Sequence, residues 1–215
     1  MALKAVLIDF DGTLAYTNDV ILKSFQHTFR TFWGREVDGE KIKADFGEPM
    51  RITLTRLFGA EYVDEAIDVY KSFQGDRFME FVTLFPGMDK LVYDLKKEGF
   101  KVAMVTSRMK DSVMDGLRKF GLDEAFDAIT TINDITKHKP DPEAILVTLE
   151  KLGIGPDEAV MVGDSKFDIY CSKNAGVRSM LVDWSETRDG IEEPIWDFCP
   201  KTADEILAWA LENRE

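Results

Sequence analysis

The stretch LKAVLIDFDGT, residues 3–13, decides the fold. Its run LKAVLIDF, residues 3–10, is rich in apolar residues without regular polar alternation, which suits a strand covered on both faces, as in a parallel sheet between helical layers. The run ends in two carboxylates one residue apart, Asp9 and Asp11, followed by Gly12. Alone, D-x-D-G is a turn signal, because Asp and Gly favour turns. If the strand continued, alternation would lean Asp9 and Asp11 to the same side. What those acids meet must be read from the rest of the chain.

Four further runs read as buried parallel strands: KVAMVTS (101–107), AITTI (128–132), AVMVGD (159–164) and RSMLVDW (178–184). Helical patterns separate them. Residues 88–99 place Met88, Leu91, Val92 and Leu95 on one face and stop at Gly99. Residues 111–121 start at a capping Asp111 and stop at Gly121. Residues 141–153 carry Pro142 in the first turn, turn Ile145, Leu146, Leu149 and Leu152 inward, and end at Gly153. A last helix, TADEILAWALENR (202–214), has acids in its first turn. The alternation predicts a Rossmann-like, doubly wound α/β sheet with right-handed crossovers.

Residues 15–85 break that rhythm. They are too long for one crossover and carry at least three helical patterns: Ile21, Phe25, Phe29, Phe32; Met50, Leu54, Leu57; Ala66, Ile67, Tyr70, Phe73. Structureless loops of that length are rare in compact domains, so the segment reads as an inserted all-α cap. The expected division is a core of residues 1–14 and 86–215 with a helical cap of residues 15–85. The aromatic series Phe25, Phe29, Phe32 and Trp33 fits the cap core.

The 215 residues include 40 acidic and 27 basic side chains, a formal charge of -13. Such a surface repels nucleic acid and anionic membrane. No apolar run approaches the roughly 20 residues that span a bilayer. Cys171 and Cys199, in a chain without a charged leader region, point to a reducing cytoplasm, with Cys171 packed on a helix. An anionic substrate would have to be captured by local positive charge or a metal.

Polar residues gather at the predicted strand ends, where open α/β sheets bind ligands. The first strand supplies Asp9 and Asp11; the second supplies Thr106, Ser107 and Arg108. Lys139 precedes the helix at 141, and the fourth strand leads to Asp164 and Asp168. If Asp164 joins Asp9 and Asp11 from a neighbouring strand end, three carboxylates converge and require a cation, and an oxygen donor set without Cys or His support points to Mg²⁺. Lys139 and the Thr106 hydroxyl are donors for a tetrahedral oxyanion, which makes phosphoryl the fitting group. His27 and His138 are isolated and read as surface or packing residues. Arg51, at the start of a cap helix, is either an exposed helix charge or a contact for an anion.

D-x-D-G-T at 9–13, Thr106, K-P-D-P with Lys139, and G-D-x-x-x-D at 163–168 resemble, in order, the four motifs of the haloacid dehalogenase superfamily. The resemblance spans essentially the whole chain. It implies Asp9 as a nucleophile that becomes an aspartyl phosphate, with Asp11 as general acid and then base. It implies Mg²⁺ held by Asp164, the Asp9 carboxylate and the Asp11 backbone carbonyl, with Asp168 supporting that shell. Thr106, Ser107 and Lys139 would hold phosphate oxygens, and Gly12 would let the backbone bend past the phosphate.

Within the superfamily, YTNDVILKSFQHTF (16–29), INDITKHKPDPEA (132–144), MVGDSKFDI (161–169) and LVDWSETRDG (181–190) look most like the phosphoglycolate phosphatase and inorganic pyrophosphatase branch. Two positions depart from it. Tyr16 stands where those relatives usually carry an acid, and Ser107 where phosphoglycolate phosphatases often carry Asn. The resemblance implies a Mg²⁺-dependent phosphatase acting on a small phosphorylated metabolite or pyrophosphate, as a monomer or homodimer without nucleic acid or membrane partners. Alternatives are a sugar-phosphate phosphatase or phosphomutase of the same superfamily, and a phospho-receiver signalling module, whose phosphoacceptor sits on its third strand.

Overall fold

The computed structural model describes residues 2–187, 191 and 195–214; Arg188, Asp189 and Gly190 of the LVDWSETRDG stretch lie outside the described residues. In chain order the elements are β1 (Ala5–Ile8), β2 (Ala15–Tyr16), α1 (Asn18–Trp33), α2 (Gly39–Lys43), α3 (Met50–Phe58), α4 (Val63–Phe81) and β3 (Thr83–Leu84). There follow α5 (Met88–Lys97), β4 (Lys101–Val105), α6 (Lys110–Phe120), β5 (Ala128–Thr130), α7 (Glu143–Leu152), β6 (Ala159–Gly163), α8 (Lys166–Ala175), β7 (Arg178–Leu181) and α9 (Ala203–Glu212).

Five strands form one parallel sheet in the order β5-β4-β1-β6-β7. Counting only these strands, the order is 3-2-1-4-5, not the 2-1-3-4-5 of receiver-type folds, so the signalling alternative loses its scaffold. The unbroken apolar runs explain the two-sided burial. Val6 and Ile8 face one layer with Val102, Met104, Val160 and Val162, under residues of α5, α6 and α9. Leu7 faces the other with Val105 and Met161, under Ile145 and Leu149 of α7 and Cys171 of α8. Each fully buried aliphatic side chain contributes about 1.5–3 kcal/mol, so both layers are needed to hold the sheet.

The helices of the 15–85 insertion pack on each other around Phe25, Phe29, Leu54, Phe58, Ala66 and Tyr70. They number four, in keeping with the at least three helical patterns expected, and the short α2 contributes only Ile42 to that cluster. Trp33 is a correction: it is 44% exposed and stacks on Phe58 from outside. At the root of the insertion, β2 and β3 pair antiparallel, Ala15 with Leu84 and Tyr16 with Thr83, a ribbon too short to leave a sequence signal.

Several boundaries differ for local reasons. β1 stops at Ile8, because residues 9–15 fold into a turn in which the Leu14 N–H donates to Asp9 O (3.2 Å) and the Ala15 N–H to Phe10 O (2.8 Å). β5 stops at Thr130 because Asp134 Oδ2 accepts from the Thr131 N–H at 2.8 Å and starts a helical turn. Asp111 does not cap α6; the Lys110 N–H donates to Asn133 Oδ1 at 3.0 Å instead. Leu146 is 44% exposed, since Ile145, Leu149 and Leu152 already fill the inward face of α7.

Candidate active site

β1 and β6 lie side by side at the point where strand order reverses, and each delivers an acid at its carboxyl end. Asp9 donates its N–H to Val162 O at 3.0 Å and is buried. Asp164 follows β6 and is also buried. Asp168 lies in the first turn of α8, where its Oδ2 accepts from the Ser165 N–H (3.1 Å) and hydroxyl (2.6 Å). Carboxylate oxygens of Asp9, Asp164 and Asp168 all lie within 4.8 Å of one another.

Two glycines permit that convergence. Gly12 has φ +73°, and a Cβ there would stand 2.2 Å from Asp164 Oδ2. A Cβ on Gly163 would stand 2.3 Å from Asp168 Cβ. The D-x-D-G glycine therefore backs onto an acid of the fourth motif, a role its sequence position did not suggest.

Lys139 reaches the cluster from the loop before α7. That loop is tied down by Glu143, whose carboxylate accepts from the Thr136 N–H (3.1 Å) and the Lys137 N–H (2.6 Å). The Lys139 ammonium donates to Asp168 Oδ1 (2.6 Å), Val105 O (2.8 Å) and Asp9 Oδ1 (3.1 Å). Burial opposes its charge, but Asp168 and Asp9 more than offset this and hold it protonated. Burial pushes the Asp9 carboxyl up to about 7 against the pull of Lys139, with Asp168 and Asp11 adding repulsion. Burial, then Asp168 and Asp9, push Asp164 well above the usual carboxylate range.

Asp11 stands apart from this cluster. Its carboxylate is gripped by Arg108, with Nε at 3.0 and 3.1 Å from the two oxygens and a terminal nitrogen at 2.6 Å. Arg108 also donates to Ser112 Oγ at 2.7 Å and lies over the Phe78 ring at 4.4 Å. The ion pair was not legible in the sequence, although Arg108 stands just beyond Thr106 and Ser107. Thr187 was missed altogether: its hydroxyl donates to Asp164, 2.9 Å from the backbone oxygen and 3.1 Å from Oδ2. The Ser185 hydroxyl donates to the same backbone oxygen at 2.5 Å.

Asp9, Asp11, Arg108, Lys139 and Asp168 line a cavity of about 710 Å³ between the sheet and the insertion. Asp9, Asp11, Thr106, Ser107, Arg108 and Lys139 form its floor; Phe25, Met50, Tyr70 and Lys71 face it from the helices. Thr106 is buried, and its Oγ accepts from the Arg108 N–H at 3.2 Å. Arg51 lines the rim, paired with Asp64 at 2.6 Å. His138 lines the cavity with Nδ1 buried and unpaired, whereas His27 stacks on Phe73. Tyr16 lies in β2 against Phe85; burial and the acids Glu186 and Asp19 push its hydroxyl up to about 12.

The sheet order and the acid cluster beneath a helical insertion define a doubly wound α/β enzyme. The chain belongs to the haloacid dehalogenase-like hydrolase family, whose sequence profile matches residues 6–182. It is 37% identical over 185 residues to the pyrophosphatase PpaX of Bacillus cereus strain AH820, covering 86% of this chain and 85% of that protein. It is 35% identical over 181 residues to the pyrophosphatase PpaX of Bacillus velezensis, covering 84% and 83%. The same fold occurs in a haloacid dehalogenase-like family hydrolase of Streptococcus pneumoniae, with a TM-score of 0.84, 21% identity and coverage of 96% of this chain and 98% of that one.

Proposed function

We propose that the protein is a Mg²⁺-dependent phosphatase acting on pyrophosphate or a small phosphate monoester, with Asp9 as the nucleophile. In this reading residues 15–85 are a cap over a core of residues 1–14 and 86–215. The observation that carries it is the buried meeting of Asp9, Asp164 and Asp168 with a single ammonium, Lys139, on the cavity floor. The similarity to proteins named pyrophosphatase supports the substrate class.

The donor set fits a hard divalent cation. Among the described residues, three buried carboxylates face one ammonium, and Lys139 and Ser165 already occupy both oxygens of Asp168. Asp9 and Asp164 are thus left with the uncompensated charge, and they are the residues that would hold Mg²⁺, beside the Asp11 backbone carbonyl. When bound, the ion neutralises phosphoryl charge and favours ionised carboxylates around it.

This chain's own residues supply the remaining steps. An Asp9 oxygen attacks phosphorus, and the bond to the leaving oxygen breaks with its electron pair on that oxygen. Lys139 and the Thr106 and Ser107 hydroxyls hold the phosphoryl oxygens as the group transfers. Asp11 gives a proton to an alkoxide leaving group and then takes one from the water that hydrolyses the aspartyl phosphate. The insertion walls off the cavity and limits attack by bulk water.

The test is kinetic. Asp9→Asn should lower kcat on pyrophosphate and on a monoester panel by about 10⁴-fold or more while leaving the thermal unfolding profile cooperative. Wild-type kcat in that variant, or no magnesium-stimulated phosphate release from the native chain, sinks the reading.

A further inference from the structure

Arg108 is the feature of the cavity that hydrolysis of a simple monoester does not require. Its side chain is 7% exposed, yet it belongs to the floor, and its fork closes on Asp11 rather than on the nucleophile's cluster. Asp11 is the group assigned to the leaving oxygen. The guanidinium therefore stands where the leaving group departs, while Lys139, committed to Asp9, Asp168 and Val105, serves the transferring group.

The fork is held in shape from behind. Ser112 accepts from it at 2.7 Å, and the Phe78 and Phe10 rings lie 4.4 and 5.7 Å from its central carbon. Helix α6 comes this close because residue 116 is glycine: a Cβ there would stand 2.6 Å from Phe10 Cζ. A planar fork with fixed backing suits bidentate capture of an oxyanion, and carboxylate and phosphate present the same geometry to it. A third cavity cation, Arg51, is 60% exposed and paired with Asp64.

Resting on the phosphatase reading above, we propose that Arg108 is the leaving-group clamp. Its guanidinium exchanges the Asp11 carboxylate for the second phosphoryl group of a diphosphate, and so selects pyrophosphate over monoesters with neutral leaving groups. The chemistry balances without a proton from the protein. Monoprotonated pyrophosphate, a trianion, meets the Asp9 carboxylate; a new Asp9 O–P bond forms and the bridging P–O bond breaks. The bridging oxygen keeps the electron pair and leaves as hydrogen phosphate dianion, and the Asp9 side chain carries a phosphoryl dianion. Arg108 neutralises the departing charge. Asp11, released from the fork, accepts the proton of the attacking water in the second step.

The experiment compares Arg108→Met and Arg108→Lys with wild type, using kcat/KM on pyrophosphate and on phenyl phosphate with magnesium present. In Arg108→Met the pyrophosphate value should fall about 100-fold more than the phenyl phosphate value. Arg108→Lys, which keeps charge but loses the fork, should fall between. Calorimetric binding of methylenediphosphonate against orthophosphate reads the same selectivity without turnover. Equal fractional losses on both substrates and both ligands would make Arg108 a structural support for Asp11 and overturn the proposal. If Arg108→Met does not fold, the same comparison on Arg108→Lys decides. Wild type that hydrolyses phenyl phosphate but not pyrophosphate overturns the clamp alone, whereas wild type inert to every phosphorylated compound removes the phosphatase reading itself.

Discussion

Asp168 and Lys139, 29 positions apart in sequence, meet as a buried ion pair at 2.6 Å, with side-chain exposures of 1% and 3%. Asp168 is also held by Ser165, so it works as a bracket: it fixes the ammonium that reaches Asp9. Removing one partner of such a pair leaves a buried charge unpaired and costs about 3–5 kcal/mol. Lys139→Met should therefore unfold at markedly lower temperature than wild type and show no turnover. The double variant Lys139→Met/Asp168→Asn should recover much of the stability and none of the activity. Chemical denaturation of the three proteins checks this, and a double variant no more stable than Lys139→Met would contradict it.

Gly12→Ala attacks the site through backbone and contact together. The native φ of +73° is costly for a residue with a Cβ, and the added carbon would stand 2.2 Å from the Asp164 carboxylate. The expected result is magnesium affinity weakened by about 10-fold or more, with the unfolding midpoint lowered. Isothermal titration with magnesium reads the first effect and calorimetric scanning the second.

Thr187 offers a gentler change at the same acid. Its hydroxyl donates to the Asp164 backbone oxygen and to Oδ2, and Thr187→Val keeps the shape but removes both bonds. Orienting partners of metal-holding residues are worth about 10–100-fold in affinity. Thr187→Val should require that much more magnesium for half-maximal activity, with kcat at saturating magnesium reduced much less. An unchanged magnesium requirement would remove Thr187 from the account.

The metal-free protein should be less stable at pH 8 than at pH 5. Asp9 titrates near 3.8 in an unfolded chain and near 7 in the folded one, so between those values the folded state holds a proton that the unfolded state has lost. Folding stability then falls as pH rises through that window, and Asp164 acts in the same direction. The unfolding midpoint shifts by about 2–4 °C per kcal/mol lost. Magnesium should reverse the trend above pH 7, because it favours the ionised carboxylates. Thermal scans at several pH values, with chelator and with magnesium, test both signs.

The five-stranded core was legible in the sequence because its strands are buried on both faces, so Ala5–Ile8 and Ala159–Gly163 appear as unbroken apolar runs. The acids at their ends were legible for the same reason: a charge directly after such a run marks the sheet's carboxyl edge. What escaped was whatever depends on contacts between distant turns. The β2–β3 ribbon is held by four residues, and nothing in Ala15, Tyr16, Thr83 or Leu84 announces their pairing. Thr187 reaches Asp164 from a loop outside all four motifs. The Arg108 fork on Asp11 depends on Phe10, Phe78 and Gly116 packing behind it, which no local pattern encodes.

The most direct test of the central claim is where the phosphoryl group goes. The protein is mixed with magnesium and pyrophosphate, quenched in acid within the first turnover, digested, and mapped by mass spectrometry. The account predicts one added phosphoryl group on Asp9, in the peptide containing DFDGT, and none in Asp9→Asn. Turnover without any modified peptide, or with the group on another residue, would contradict it.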